Sequence, residues 1–194
     1  MDKKILGIAL TGVALGALLY FSGIGNLTAS LFEGGTSEQF VSLKTDQGDI
    51  KIQLHHGEAP QLARNFLLLT KEGKYDRTIF HRVISGFMIQ GGDYENMDGT
   101  GGRSIEGTPL TDEFSENLSH VRGAVSMANR GPNTNASQFF IVHEDAPFLD
   151  GRHSIIGQVV SGMDIVDRIA SSKTDINDRP LKEIFIRKAV GQKE

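Results

Sequence analysis

The 194-residue sequence contains no cysteine, which excludes disulfide bonds, thiolate metal sites and cysteine nucleophiles. It has only five prolines against 23 glycines, a balance that indicates many tight turns and a β-rich fold. Excess positive charge is also missing. The formal net charge is -4, which argues against a protein that binds nucleic acid by neutralising phosphates. The six histidines show no spacing typical of metal ligands, so no metal centre is predicted.

Long hydrophobic runs are scarce, and the one that stands out lies at the amino terminus. Lys3 and Lys4 precede an apolar stretch that extends over residues 5–24. Its length fits an uncleaved membrane-spanning anchor or a cleaved signal peptide, with a plain buried helix as the remaining alternative. The two lysines favour a cytoplasmic amino terminus with the rest of the chain outside the cytoplasm. Cleavage would instead give a secreted or periplasmic protein.

The sequence therefore predicts three parts. Residues 1–25 form the anchor or signal, residues 26–38 end in a Gly- and Ser-rich stretch and form a flexible linker, and residues 39–192 form one folded domain. Outside residues 5–24 no long apolar stripe indicates an association surface, so we expect a monomer.

Short apolar stretches separated by turn residues dominate the folded part. Residues 40–45 and 50–54 are predicted to form a hairpin around Asp46–Asp49. Many short strands with only two helices favour a closed antiparallel β-barrel. Of the two predicted helices, the first begins at Pro60 and the second covers residues 163–170. The remaining predicted strands are 78–84, 87–90, 123–128, 138–142, 154–160 and part of 181–190.

The most informative segment has the sequence FHRVISGFMIQGGD and begins at Phe80. The period-2 alternation of a strand places Phe80, Arg82 and Ile84 on one face, and His81 and Val83 on the other. An arginine among apolar neighbours is costly unless its five donors have partners, so Arg82 is a candidate functional residue. Taken alone, the segment is equally compatible with a solvated arginine on a surface strand.

A second segment, SMANRGPNTNASQFF, begins at Ser126 and decides between these alternatives. Together the two segments resemble the cyclophilin family of peptidyl-prolyl cis/trans isomerases. Gly99–Gly102 and Phe148–His153 complete the family's order of motifs, and the resemblance covers roughly residues 39–190. It implies an eight-stranded antiparallel barrel with a helix covering each end, and an enzyme that rotates X-Pro bonds.

The resemblance implies Arg82 as the catalytic residue. Around it, the family pattern expects an apolar pocket for the proline ring, two glutamines that fix the substrate backbone and orient the arginine, and a segment whose backbone pairs with the substrate. His81 points away from Arg82 and is expected to make structural hydrogen bonds. The implied substrate-binding residues are Phe87, Met88, Phe140 and Leu149 in the pocket, Gln90 and Gln138, Ala128 and Asn129, Phe148, and His153 at the pocket edge.

The chemistry requires little besides a pocket and a donor. The barrier to rotation about a planar amide is about 18–20 kcal/mol, and a catalyst that works in milliseconds must lower it by roughly 5–6 kcal/mol. In the twisted amide the nitrogen regains a lone pair, so a fixed guanidinium nearby stabilises the twisted state more than the planar one. No nucleophile, metal or cofactor is needed. The rival interpretation is a proline-peptide-binding scaffold or holdase, and the presence of Arg82 with Gln90 and Phe140 favours the enzyme.

Two positions depart from the best-known family members. Arg130 replaces a small alanine, and we expect it to narrow or recharge a secondary pocket that binds the residues before proline. Phe148 replaces a tryptophan, and the lost indole N–H predicts weak cyclosporin binding. The connections are short, as in compact bacterial members. The expected clients are unfolded or loop segments of proteins outside the cytoplasm.

Overall fold

The computed structural model describes residues 39–193. The predicted anchor or signal, residues 1–25, and the predicted linker, residues 26–38, lie outside this range. Among the described residues, neither helix is long and apolar enough to cross a membrane.

One antiparallel sheet of nine strands forms the described part of the chain, with the strand order β3-β9-β1-β2-β8-β6-β7-β5-β4. The sheet curls around an apolar core. Its strands are β1 (Gln39–Thr45), β2 (Gly48–Leu54), β3 (Thr78–Ile79), β4 (Arg82–Ile84), β5 (Met88–Gly91), β6 (Ala124–Met127), β7 (Phe139–Val142), β8 (Ile155–Ser161) and β9 (Phe185–Lys193).

The ninth strand arises because the predicted strand 78–84 is split. The backbone N–H of Phe80 donates to the carbonyl of Ile184, and that of Val83 donates to the carbonyl of Asp178, so both bond outside a regular ladder. The resulting strands β3 and β4 stand at opposite ends of the sheet order. The chain itself joins these two edges, and the closed eight-stranded barrel expected from the sequence is here a curled nine-stranded sheet.

The split also changes which residues share a face. Phe80 is fully buried in the main core together with Val83, whereas Arg82 is exposed. The prediction that Phe80 and Arg82 share one face is therefore wrong, because the alternation is interrupted between the two strands. The inner row across the neighbouring strands β4, β5, β7 and β6 consists of Val83, Ile89, Ile141 and Val125.

Two helices accompany the sheet. Helix α1 (Pro60–Lys71) packs against β8 and β9, and α2 (Met163–Ala170) packs against β2, β4 and β5. The carboxylate of Glu113 accepts the N–H groups of Gln61 and Leu62 at 3.1 and 2.8 Å, and so caps α1 from a distant loop. Helix α1 ends just before Gly73, whose positive φ of 68° and N–H bond to Thr70 form the expected C-terminal cap.

Candidate active site

The predicted site lies on the outer face of four neighbouring strands. Arg82 on β4 pairs with Gln90 on β5, Gln90 pairs with Phe140 on β7, and Phe140 pairs with Ser126 on β6. Directly opposed side chains of antiparallel strands have Cβ atoms about 5 Å apart. The sheet register alone therefore brings a guanidinium, an amide and an aromatic ring together in one row.

A cavity of about 210 Å³ opens over this row. The two predicted site residues that do not line it are Gln138 and Phe148. Gln138 lies in an adjoining cavity of about 80 Å³. Phe148 is 62% exposed, and its ring centroid lies 5.6 Å from that of Phe87 at the rim. The other nine line the main cavity: Arg82, Phe87, Met88, Gln90, Ala128, Asn129, Phe140, Leu149 and His153.

The apolar wall of the cavity is held rigidly. Phe140 is 4% exposed and packs with Met88 and Leu149 in a small apolar cluster of its own. The ring of His153 meets the ring of Phe140 edge-on at 5.4 Å, and His153 Nδ1 donates to the carbonyl of Met127 at 3.0 Å. Since its lining is fixed before any ligand enters, the pocket is preorganised for an apolar ring.

A polar network behind Phe140, which reaches from buried His120 and Ser126 to exposed Asp150, was not predicted from the sequence. The ring of His120 stacks on Phe140 at 6.0 Å, and its Nδ1 lies 2.6 Å from Asp150 Oδ1. Its Nε2 lies 3.0 Å from Ser126 Oγ, which donates to the carbonyl of Ser154. Burial lowers the pKa of His120 in spite of the Asp150 carboxylate beside it. Ser126 is fully buried, so this Ser-His-Asp arrangement supports Phe140 and is not a nucleophilic centre.

The two glutamines differ in their surroundings. Gln90 Nε2 donates to Gln138 Oε1 at 2.9 Å, and Gln138 Nε2 donates to the carbonyls of Gly99 and Gly101. Gln138 is only 7% exposed, so its amide fixes Gln90 and the glycine-rich loop. In the described part of the chain neither glutamine forms a hydrogen bond with Arg82.

Arg82 is instead held by Asp178. Its Nε donates to Asp178 Oδ2 at 3.3 Å, while the backbone carbonyl of Asp178 accepts the N–H of Val83 at 2.8 Å. The arginine and aspartate side chains are 45% and 41% exposed. Asp178 stands 96 residues from Arg82 in the sequence, inside a turn, and no periodicity signals this contact.

Asp93 organises the loop that follows β5 and lines the adjoining cavity of about 80 Å³, called the secondary cavity below. Its buried carboxylate accepts backbone N–H groups at residues 95, 96, 98, 99 and 101, at 2.9–3.3 Å. Burial acts to raise the pKa of Asp93, but these hydrogen bonds outweigh it and hold the pKa below its ordinary value. The loop passes so close that a Cβ on Gly101 would lie 2.7 Å from Asp93 Oδ1.

Comparison with known proteins identifies the family to which this site and fold belong. The family model for Cyclophilin type peptidyl-prolyl cis-trans isomerase/CLD matches residues 40–190. The chain belongs to the cyclophilin family. The family predicted from the two sequence segments is thus confirmed, and the curled sheet with two helices is a cyclophilin fold.

The relatives of this cyclophilin include proteins from two different organisms that align with it over nearly their whole length. It is 49% identical to peptidyl-prolyl cis-trans isomerase cypE of Dictyostelium discoideum, over 79% of this chain and 97% of the relative. It is 50% identical to peptidyl-prolyl cis-trans isomerase ppi1 of Schizosaccharomyces pombe, over 77% of this chain and 97% of the relative.

Solved structures agree with the sequence relatives. A crystal structure of a cyclophilin type peptidyl-prolyl cis-trans isomerase from Cryptosporidium parvum is 39% identical, has a TM-score of 0.77, and aligns over 80% of this cyclophilin and 98% of that chain. The same protein in the presence of the dipeptide Ala-Pro gives a TM-score of 0.75 at 39% identity, over 78% and 97% of the two chains.

Proposed function

We propose that the protein is a peptidyl-prolyl cis/trans isomerase with Arg82 as its catalytic residue. The enzyme assists the folding of polypeptides that have proline in unfolded or loop segments. The observation that carries this proposal is the cavity itself, where one guanidinium stands at the edge of a pocket formed by Met88, Phe140 and Leu149. We place the proline ring in this apolar pocket, where the guanidinium can reach the nitrogen of the X-Pro bond and the prolyl carbonyl.

Arg82 is arranged to favour the twisted amide. Since Asp178 takes the Nε–H group, the two terminal amino groups of Arg82 remain for the substrate. They can donate to the prolyl carbonyl and to the nitrogen that becomes pyramidal on rotation. A planar amide offers no such nitrogen lone pair, so the interaction strengthens towards the transition state.

Asn129 and Ala128 are proposed to align the substrate backbone. The side chain of Asn129 donates to the carbonyl of Arg152 at 2.9 Å, which fixes this segment after β6. The Ala128 N–H donates to the carbonyl of Gln138, whereas the N–H and C=O of Asn129 have no backbone partner within residues 39–193. These two groups are therefore available to an extended peptide. Gln90 also lines this cavity, and we propose that its side chain contacts the same stretch of substrate backbone.

A refolding assay tests the proposed function. A small protein whose slow refolding phase is limited by proline isomerisation takes tens of seconds or longer without a catalyst. We expect the protein to shorten that phase in proportion to its concentration, and Phe140→Ala to lose the effect. A scaffold or holdase would change the yield of refolded protein while leaving the rate of the slow phase unaltered, and that result would refute the proposal.

Arg130 is proposed to set the preference for the residues before proline. Its guanidinium donates to the carbonyls of Gly99 and Thr100 at 3.2 and 2.6 Å, and it lines the secondary cavity of about 80 Å³. A cation here favours acidic client residues. We expect peptides with Glu shortly before the proline to react faster than those with Lys, and Arg130→Ala to remove the difference. Equal rates for both peptides with the wild-type protein would contradict this role.

The amino-terminal segment is proposed to hold the enzyme at a membrane. The support is the apolar run over residues 5–24 preceded by Lys3 and Lys4, which favours a single span with residues 39–192 outside the cytoplasm. If the segment is a cleaved signal, the enzyme is exported instead. Amino-terminal sequencing of the mature full-length protein distinguishes these two fates.

Weak cyclosporin binding and a monomeric state are also proposed. Phe148 stands exposed at the pocket rim and offers no N–H donor. Calorimetry with cyclosporin should therefore give a Kd well above the nanomolar range, and a nanomolar Kd would refute this proposal.

A further inference from the structure

A second, larger cavity adjoins the proline pocket on the far side of Arg82. Its volume is about 410 Å³, and it shares Arg82 and Gln90 with the pocket. A bound polypeptide can therefore pass from one cavity to the other without leaving the surface. The remaining lining residues are His81, Asp98, Gly99, Asp175, Asn177 and Arg179.

The position of Arg82 indicates which part of a client would reach this cavity. In the proposed mechanism Arg82 binds the prolyl carbonyl, which is the first group of the chain after the proline ring. The secondary cavity beside Arg130 also borders Gln90 and Gly99, but its lining extends towards Asn129 and Gln138 and does not include Arg82. Residues that follow the proline are thus directed past Arg82 and into the larger cavity.

The charges in this cavity do not cancel. Each of its arginines has an acidic partner: Arg82 pairs with Asp178 at 3.3 Å, and Arg179 pairs with Glu183 at 3.6 Å. The carboxylates of Asp98 and Asp175 form no salt bridge in the part of the chain that the structure describes, although Arg179 lies near enough to Asp98 to contribute to lowering its pKa.

Local groups hold both carboxylates in place without neutralising them. Asp98 Oδ1 accepts the backbone N–H and the hydroxyl of Thr100, and Asp175 Oδ1 accepts two backbone N–H groups of its own loop. The hydrogen bonds from Thr100 keep the pKa of Asp98 below its ordinary value. Two carboxylates without a salt-bridge partner are therefore left for an occupant to bind.

A buried imidazole at the wall supplies an independent observation. His81 is 5% exposed and borders the cavity, and its ring nitrogens form no hydrogen bond of good geometry within residues 39–193, although the Gln138 side chain lies close to the ring. Buried polar groups are nearly always paired, with protein, water or ligand. The structural hydrogen bonds expected for His81 from the sequence are therefore not formed with good geometry in the described residues. Burial lowers the pKa of His81, so the ring is neutral at pH 7 and has an acceptor nitrogen for an N–H donor.

We propose that this cavity is a subsite for the client residues that follow the proline, and that it prefers lysine or arginine side chains. The proposal rests on the proposed function, because it assumes that the proline occupies the pocket beside Arg82. A basic side chain would compensate Asp98 and Asp175 and bring N–H donors to the wall formed by His81. Its preference is independent of Arg130, which acts on the residues before the proline.

The test compares three Ala-Pro peptides in which the proline is followed by two lysines, two glutamates or two alanines. NMR exchange spectroscopy gives kcat/KM for cis/trans rotation of each peptide at low ionic strength. We expect the lysine peptide to exceed the glutamate peptide by about fivefold or more, with the alanine peptide between them. High salt should reduce the ratio.

Variants assign the preference to the cavity. Asparagine keeps the Oδ1 acceptor that each loop uses, so Asp98→Asn with Asp175→Asn removes the charges and preserves the hydrogen bonds. We expect this double variant to bring the lysine-to-glutamate ratio close to one, with the alanine peptide unaffected. Asp164→Asn, at an exposed position on α2, is the matched control and should leave the ratio unchanged.

The outcomes separate this proposal from the proposed function. If the alanine peptide is accelerated but the lysine and glutamate peptides react equally, the subsite is refuted and the isomerase stands. A preference for glutamate would likewise overturn it, since the two arginines would then dominate. If no peptide is accelerated, the function fails. Amide shifts of Gly99 and Asn177 on peptide binding then still decide the subsite: larger shifts with the lysine peptide support it, and equal shifts refute it.

Discussion

Replacing Arg82 by alanine is expected to lower kcat/KM for X-Pro rotation by about 100- to 1000-fold. Arg82 is the one arginine or lysine that lines the proline cavity in the described part of the chain. Arg82→Lys should recover part of the loss, because it restores the charge without the two-pronged geometry of the guanidinium. Exchange spectroscopy on an Ala-Pro peptide measures both variants.

The stability of the fold serves as the control for this experiment. Arg82 is about half-exposed and its ion pair with Asp178 is a surface pair, so Arg82→Ala should change the free energy of unfolding by less than about 1 kcal/mol. A variant that keeps more than about a tenth of the wild-type activity would contradict the assignment of Arg82 as the catalytic donor.

Replacing Asp93 by alanine is expected to destabilise the protein by about 3 kcal/mol or more, because it leaves five backbone N–H groups of one loop without their acceptor. The same loop lines the cavities through Gly99 and Gly101, so activity should fall with stability. Urea unfolding at pH 7 measures the loss. Asp164→Ala, on the exposed face of α2, is the matched control and should cost little.

The pH dependence provides a second check on Asp93. A carboxyl whose folded pKa is depressed stabilises the fold fully above its unfolded pKa of about 3.9, and this contribution is lost as pH falls through the folded pKa. The wild type should therefore lose stability on acidification below about pH 4, and Asp93→Asn should show a flatter profile. Parallel profiles would mean that the ionised carboxylate of Asp93 is not what stabilises the loop.

Local patterns predicted most of the fold. Helix α2 begins and ends at the predicted residues, Met163 and Ala170, because its apolar side chains recur at helical spacing. The hairpin of β1 and β2 also forms where turn residues separate two alternating runs. The break at Phe80 and His81 was missed, since it depends on hydrogen bonds to Ile184 and Asp178, about 100 residues further along the chain.

The candidate site was predictable to a similar extent. Arg82, Gln90 and Phe140 lie on strands whose register brings them side by side, and the family motifs already named them. Their supporting residues could not be found in this way. Asp178 and His120 are polar residues in loops, and what they do depends on which side chains the folded sheet places beside them.

The most direct test of the central claim is exchange spectroscopy of an Ala-Pro peptide with a small amount of the wild-type protein. Without a catalyst the cis and trans forms interconvert over tens of seconds or longer, so no exchange peaks form within a sub-second mixing time. We predict strong exchange peaks between the two forms once the protein is added. Shifts of the peptide resonances without exchange peaks would show that the cavity binds proline but does not catalyse rotation of the X-Pro bond, and would refute the isomerase activity.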